Sequence, residues 1–315
     1  MIKTPLKILF MGTPEFAVAY LKSLIDSDFF EVVAVITQPD KPLGRKQIIT
    51  PSPVKFEALK HNLTIIQPEK LKNNPAVLFQ LQKIEFDLIV VVAYGQIIPS
   101  DILALAKLGN INVHPSLLPQ YRGASPIQNA ILNNETTTGI TIMLMDEKMD
   151  HGPILAQKKF ILDGTETSES LHQKMSDKLS TDFLIETIQK FVDKKITAAI
   201  QNDDNATYCK LITKDEAKIN WSDSAKNISA KIRAFYPWPV AWTTLNHKKI
   251  KIFPPIKITD GAGEPGKILS ENNKLLVATP DKLLEIFELQ IEGKNKIKAK
   301  DFILGHKNIA HQSLE

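Results

Sequence analysis

Asn112 and His114 stand two residues apart at the end of an apolar stretch, and two acids, Asp146 and Asp150, follow a later apolar run. On a strand, residues i and i+2 point to one face, so this carboxamide and imidazole can converge on a single reacting atom. An acid from a neighbouring loop can then stand beside them. The trio suits acyl transfer to an amine. The acyl carbon passes through a tetrahedral state with charge on oxygen, and a fixed amide donor such as Asn112 stabilises that charge. A histidine has the range needed to take a proton from the attacking amine. An adjacent aspartate fixes the tautomer and favours the imidazolium. No serine or cysteine nucleophile stands out, so no covalent enzyme intermediate is required. Each residue alone has a plainer explanation: Asn112 can close a turn, His114 before Pro115 can be a satisfied loop histidine, and Asp150 can sit in a turn before Gly152. Asp146 competes for the acidic role. Joint placement at strand ends carries the argument.

The elements that must position them follow from apolar periodicity. Lys7 to Met11 is a short strand, and Pro14 after Gly12-Thr13 opens a helix that runs to about Ile25. Glu31 to Ile36 is the second strand. Asp87 to Ala93 is apolar on both faces, as a parallel sheet requires. Pro99 to Lys107 reads as a helix, Asn110 to Val113 and Gly139 to Met145 as strands, and Ser168 to Lys194 as one long amphipathic helix or two. This βαβ order predicts an α/β fold with a doubly wound, mostly parallel, Rossmann-like sheet. Sites in such sheets form at the carboxyl ends of strands, and Tyr94–Pro99, Asn112–Gly123 and Asp146–Gly152 all fall there. After a polar, turn-rich stretch, short strand-like runs alternate with Gly, Pro and Asn turns, which predicts a second, smaller C-terminal β-barrel, OB-like. The expected division is a catalytic domain over 1–195, a linker over 196–206 and a barrel over 207–315.

Charge is unevenly spread. From Asn205 to Glu315 there are 18 Lys and Arg against 12 Asp and Glu, whereas the preceding residues hold 21 against 23. A basic second half suggests a polyanion-binding surface, with solvated lysines as the plainer alternative. Lys248, Lys249 and Lys251 lie in one run. Lys294, Lys296, Lys298 and Lys300 alternate along another, which on a strand would make a one-sided basic row. Such rows can track an RNA backbone, or they can protect a sheet edge from aggregation. The one cysteine, Cys209, excludes an internal disulfide framework. Leu88 to Ala93 is strand-length and cannot span a bilayer. Ile8 to Met11 is too short for a signal peptide, so a cytoplasmic protein without a membrane partner is expected. Gly12-Thr13-Pro14 lacks the glycine patterns of dinucleotide and ATP loops, and the histidines show no metal-ligand spacing, so no metal is expected.

Longer motifs sharpen this. The run NVHPSLLPQYRGASPI (Asn112–Ile127) and the later MDEKMDHGPIL (Met145–Leu155) resemble the two active-site segments of the 10-formyltetrahydrofolate-dependent formyltransferases. The resemblance implies a catalytic set of Asn112, His114 and Asp150 and a 10-formyltetrahydrofolate co-substrate. The folate pocket it implies is formed by Tyr94, Gly95, Ile97, Pro99, Ser116, Leu117, Leu118, Pro119, Met145 and Asp146, with the pteridine held largely by backbone. Four further segments resemble the members of the family that formylate methionyl-tRNA: KILFMGTPEFAV (Lys7–Val18), TQPDKPLGRKQIITPSPVK (Thr37–Lys55), ATYCKLITKDEAKINW (Ala206–Trp221) and IRAFYPWPVAW (Ile232–Trp242). They imply methionyl-initiator tRNA as partner and a monomer as the working unit. In the proline-rich 37–55 loop the positive charge of Lys41, Arg45 and Lys46 can attract acceptor-stem phosphates, with an exposed basic surface loop as the plainer alternative, and by resemblance Arg45 aligns with a loop arginine that touches tRNA. Arg122 can meet a phosphate or the terminal adenosine, or it can pair with a nearby acid. Tyr121 stands where those members more often carry tryptophan and where tyrosine is common in sugar-formylating relatives. A nucleotide-linked amino sugar is therefore the alternative acceptor.

Overall fold

A computed structural model describes residues 4–44, 46–306, 308–310 and 312–315. The first half holds β1 (Leu6–Gly12), α1 (Glu15–Ile25), β2 (Phe30–Ile36), β3 (Lys41–Leu43), β4 (Ile48–Thr50), α2 (Pro53–Lys60), β5 (Thr64–Ile66), α3 (Pro75–Gln82), β6 (Leu88–Val92), α4 (Ser100–Leu103), β7 (Asn110–His114) and β8 (Arg122–Gly123). It continues through α5 (Pro126–Leu132), β9 (Thr137–Leu144), β10 (Ile154–Ile161), α6 (Ser168–Met175), α7 (Lys178–Val192) and β11 (Tyr208–Cys209). The remainder is α8 (Ala225–Ala234), β12 (Trp242–Leu245), β13 (Lys248–Thr259), β14 (Ile268–Glu271), β15 (Lys274–Ala278), β16 (Leu283–Ile291), β17 (Lys296–Lys298) and α9 (Ala299–Gly305).

Two compact units divide the chain. One comprises 1–123, 139–159 and 172–208; the other comprises 124–138, 160–171 and 209–315. The first unit is built on a seven-stranded sheet of order β10-β9-β7-β6-β1-β2-β5. Pairings β5–β2, β2–β1, β1–β6 and β6–β7 are parallel. All five residues of β6 are buried, as a strand covered on both faces demands. The expected mostly parallel α/β sheet is therefore present, with one departure that bears on the site. β9 runs antiparallel to β7, with Asn112 level with Met143 and His114 level with Thr141. The apolar run GITIMLM marks a buried strand but carries no direction.

One expected helix is cut short, and the stretch read as one long helix or two proves to be two. Pro99–Lys107 yields only Ser100–Leu103, because Asn110 Nδ2 donates to the Leu103 carbonyl at 3.0 Å and takes the acceptor a continuing helix would use. Ser168–Lys194 breaks at Asp177, whose side chain accepts from Ser180 N–H at 2.8 Å and caps α7. The proline-rich loop folds back as a β3–β4 hairpin, pairing Lys41 with Thr50 and Leu43 with Ile48.

The second unit carries an antiparallel sheet of order β12-β13-β16-β15-β14, with β17 added to β16. It is a half-barrel whose concave core contains Trp221, Ile228, Ile232, Ile252, Val277, Leu284 and Phe302. The expected lysine row does not form. Only Lys296 and Lys298 lie on β17, while Lys300 has entered α9. Lys296 pairs with Glu288 across the strands, which fits protection of a sheet edge. Among the described residues no helix is long and apolar enough to cross a membrane.

Candidate active site

β7 delivers Asn112 and His114 to one face of the sheet, and the β9–β10 connection delivers Asp150. That connection starts level with Ile111, at the amino-terminal end of β7, because β9 is antiparallel. Asp150 therefore does not sit at a neighbouring carboxyl end, as βαβ order alone predicts; the loop returns along β7 to reach the pair. His114 Nδ1 lies 3.6 Å from Asp150 Oδ1, with the imidazole 5% and the carboxylate 15% exposed. Asn112 Nδ2 reaches the same oxygen at 3.4 Å. Gly123 N–H donates to Asp150 Oδ2 at 2.8 Å. The three groups share one enclosure.

The other ring nitrogen decides the tautomer. His114 Nε2 lies 2.9 Å from the Tyr121 carbonyl, which can only accept, so Nε2 carries the proton and donates. In the neutral ring Nδ1 then holds the lone pair and faces Asp150. The expectation that the acid fixes the tautomer is thus replaced. Tyr121 O does so, and Asp150 is placed to hold the charge of a protonated ring. Asn112 commits one N–H toward Asp150, and its second N–H has no partner among the described residues, so it is free to meet an oxyanion.

The segment between His114 and Tyr121 is pinned from within. Thr141 Oγ1 donates to the Ser116 carbonyl at 2.7 Å and accepts from Leu118 N–H at 3.1 Å. Gln157 Nε2 donates to the Leu118 carbonyl at 2.8 Å. The Ser116 hydroxyl donates to the Gln120 carbonyl at 2.6 Å, and both Ser116 and Leu118 are buried. Their side chains serve this loop, and Leu117 packs against the space beside Gly139. Pro119 closes the turn, its carbonyl accepting from Thr207 N–H at 3.3 Å.

The loop after β6 leaves the sheet one strand over, since Val91 is level with Asn112. Ala93 and Gly95 both take positive φ there, +48° and +90°. Ile97 is 74% exposed, whereas Tyr94 is buried in the apolar core with no partner for its hydroxyl among the described residues. Burial pushes the Tyr94 phenol up to about 12. Its carbonyl accepts from Thr13 Oγ1 at 2.9 Å, and Pro99 leads into α4. Met145 packs partly buried against that same core, and its N–H donates to the Asn110 carbonyl at 2.8 Å.

Asp146 is separate from the trio. Its carboxylate holds His151 Nδ1 at 2.6 Å and accepts from Lys148 N–H at 2.9 Å. Of the two roles open to Arg122, the structure shows the internal one. The residue is 1% exposed, and its guanidinium donates to Gln201 Oε1, Asp203 Oδ1 and the Tyr208 hydroxyl. Burial opposes its charge, but the bonds to Asp203 and Tyr208 outweigh this and hold the guanidinium above its usual range. The Arg122 hydrogen bond, with His151 beside it, keeps the Asp203 carboxyl below the ordinary carboxylate range. Lys41 and Lys46 are exposed on the hairpin, and Arg45 lies outside the described residues. Beside them Lys55 pairs with Asp40 at 2.7 Å and anchors the hairpin base. Gln201 escaped sequence reasoning altogether, because it sits in a segment whose composition reads as a linker.

Comparison with known proteins agrees with this chemistry. Residues 6–188 match the formyl transferase family, and residues 211–307 match the formyl transferase C-terminal domain. A methionyl-tRNA formyltransferase from Caldanaerobacter subterraneus is 41% identical over 302 residues, covering 96% of this chain and 97% of its own length. One from Halalkalibacterium halodurans is 43% identical over 303 residues, covering 95% of each. Among solved structures, WlaRD, a sugar 3N-formyl transferase, superposes with TM-score 0.65 at 24% identity, covering 92% of this chain and 99% of its own. The N-formyltransferase from Helicobacter canadensis gives 0.66 at 19%, covering 93% and 100%. At these identities the sugar enzymes show a shared fold alone. The long, near-full-length matches decide the matter: this chain belongs to the methionyl-tRNA formyltransferase family.

Proposed function

We propose that this protein transfers a formyl group from 10-formyltetrahydrofolate to the α-amino group of methionyl-initiator tRNA, in the cytoplasm and as a monomer. The observation that carries the reading is the convergence of Asn112, His114 and Asp150 in one enclosure, on a chain of this family. The folate co-substrate supplies the activated one-carbon unit. Its seat is the irregular backbone of Tyr94–Pro99 together with Ser116–Pro119 and Met145–Asp146. The positive-φ turn at Ala93 and Gly95 and the exposed Ile97 suit an apolar, hydrogen-bonding edge.

Asn112 donates its uncommitted N–H to the oxygen that becomes negative as the amine attacks the formyl carbon. His114 accepts the proton of the attacking amine at Nδ1 while Nε2 stays bonded to Tyr121 O. Asp150 holds the resulting imidazolium across 3.6 Å. The imidazolium then gives the proton to the folate nitrogen as the bond from that nitrogen to the formyl carbon breaks and tetrahydrofolate leaves. In this reading residues 1–195 carry the chemistry, 196–206 join, and 207–315 offer a basic surface to the tRNA. The β3–β4 hairpin presents Lys41 and Lys46 beside exposed Leu43, Ile48 and Ile49, a surface that can meet phosphates and unstacked bases together.

The test mixes the protein with the folate donor and charged initiator tRNA and looks for N-formylmethionine by mass spectrometry. Formylation of charged tRNA is expected. Formylation of a nucleotide-linked amino sugar in its place would overturn the acceptor, and no product at any enzyme concentration would falsify the function.

A further inference from the structure

We infer that Gln201 is a positioning residue for the reaction: its amide, oriented by Arg122, holds the main chain on both sides of His151 so that Asp150 faces His114. This rests on the reading of the trio as catalytic.

The amide of Gln201 is saturated. Nε2 donates to the Asp150 carbonyl at 2.9 Å and to the Gly152 carbonyl at 2.7 Å. Oε1 accepts from Arg122 Nε at 3.1 Å and Nη2 at 2.8 Å. Two donors and two lone pairs are all the group has. Its orientation is not open to reversal, because a guanidinium only donates and the two carbonyls only accept. The side chain is 7% exposed, so these bonds form with little competition from water.

The bonds fall where the backbone needs them. Asp150 takes φ +50°, a left-handed conformation in which the Cβ crowds the following carbonyl oxygen. Surrounding bonds must impose it. The Gln201 amide grips the carbonyl of Asp150 itself, and Gly123 N–H grips its carboxylate. Arg122 and Gly123 are adjacent, so one short segment fixes Asp150 from two directions, by a side chain through Gln201 and by a backbone amide directly. Asp203 extends the brace. It accepts from Arg122 Nη2 at 2.8 Å and reaches His151 Nε2 at 3.3 Å, while His151 Nδ1 meets Asp146 at 2.6 Å. The loop 146–152 is thereby tied at its beginning, at His151 and at its end.

Gln201→Glu isolates this role. A carboxylate keeps both bonds from Arg122 but loses both donors and repels the two carbonyls. Gln201→Met removes donors and acceptors together at similar volume. In the full chain, with 10-formyltetrahydrofolate and charged initiator tRNA, single-turnover rates should fall about 10- to 100-fold in both variants, with KM for tRNA within about threefold of wild type. On an Asp150→Asn background the same substitutions should add less than about threefold, since they act through Asp150. Full additivity would overturn the inference. A second readout needs no turnover. Exchange of the Gly123 amide, followed by NMR, should accelerate in both variants, and unchanged protection would overturn the inference. If neither variant keeps an unfolding midpoint within a few degrees of wild type, Gln201 is an element of folding and the inference is likewise overturned. A wild-type protein that formylates no tRNA would defeat the proposed function alone, because the exchange comparison still decides the clamp.

Discussion

The main-chain carbonyl of Tyr121 sits 2.9 Å from Nε2 of His114 and turns the basic nitrogen of the ring toward Asp150. A proton acceptor is thus created by a peptide group seven residues away. His114→Ala should lower kcat by about 10²- to 10⁴-fold and leave KM for tRNA nearly unchanged, because the buried ring offers little surface to the acceptor. Steady-state kinetics separates the two constants, and a change confined to KM would exclude a role in proton transfer.

Asn112→Ala removes both the N–H that faces Asp150 and the one that has no partner among the described residues. A kcat reduced by on the order of 10²- to 10³-fold is expected. An unchanged kcat would deny the side chain any part in stabilising the oxyanion.

Gly152 closes the loop that carries Asp150. A Cβ there would lie 1.9 Å from the Leu144 carbonyl oxygen, so the backbone must move to admit it. Gly152→Ala should destabilise the protein by about 1–3 kcal/mol and reduce kcat as well, since the loop shifts with the strain. Denaturant unfolding beside rate measurements checks both; an alanine protein as stable and as active as wild type would show that the loop tolerates displacement.

Lys41 and Lys46 stand exposed on the hairpin. Replacing either by alanine should raise KM for tRNA, leave the rate at saturation intact, and reduce the salt slope of binding by about one per lysine. Replacing Lys248, Lys249 and Lys251 together tests the half-barrel in the same way. Salt slopes identical to wild type would remove these surfaces from the RNA interface.

His172 packs edge-on against Phe16 with ring centroids 5.4 Å apart, and burial holds its imidazole below the ordinary value of about 6.5. The unfolded chain therefore binds a proton that the folded chain resists. The penalty is absent above the unfolded value and grows as pH falls below it. His172→Phe should flatten the loss of unfolding midpoint between neutral and mildly acidic buffer. Parallel pH profiles for the two proteins would contradict this assignment.

The α/β sheet, the second β-rich domain and the Asn112–His114 pair were legible because each leaves a local trace, whereas Asp150 was told from Asp146 only by the resemblance of the 145–155 segment. β6 is apolar on both faces, and Asn112 and His114 obey the two-residue strand period. The antiparallel course of β9 was not legible, since strand direction depends on which neighbour a strand finds and not on its own side chains. Gln201 was invisible for a different reason. Its importance lies in a saturated amide between Arg122 and two distant carbonyls, and a polar residue among asparagines and aspartates looks like solvent-exposed chain. The row of lysines failed at Lys300 because the strand gives way to α9.

Tyr121 serves His114 through a peptide oxygen that every amino acid possesses. Exchanging the ring at 121 therefore leaves the acceptor of the Nε2 proton in place, and the side chain there can change without altering how the imidazole is set.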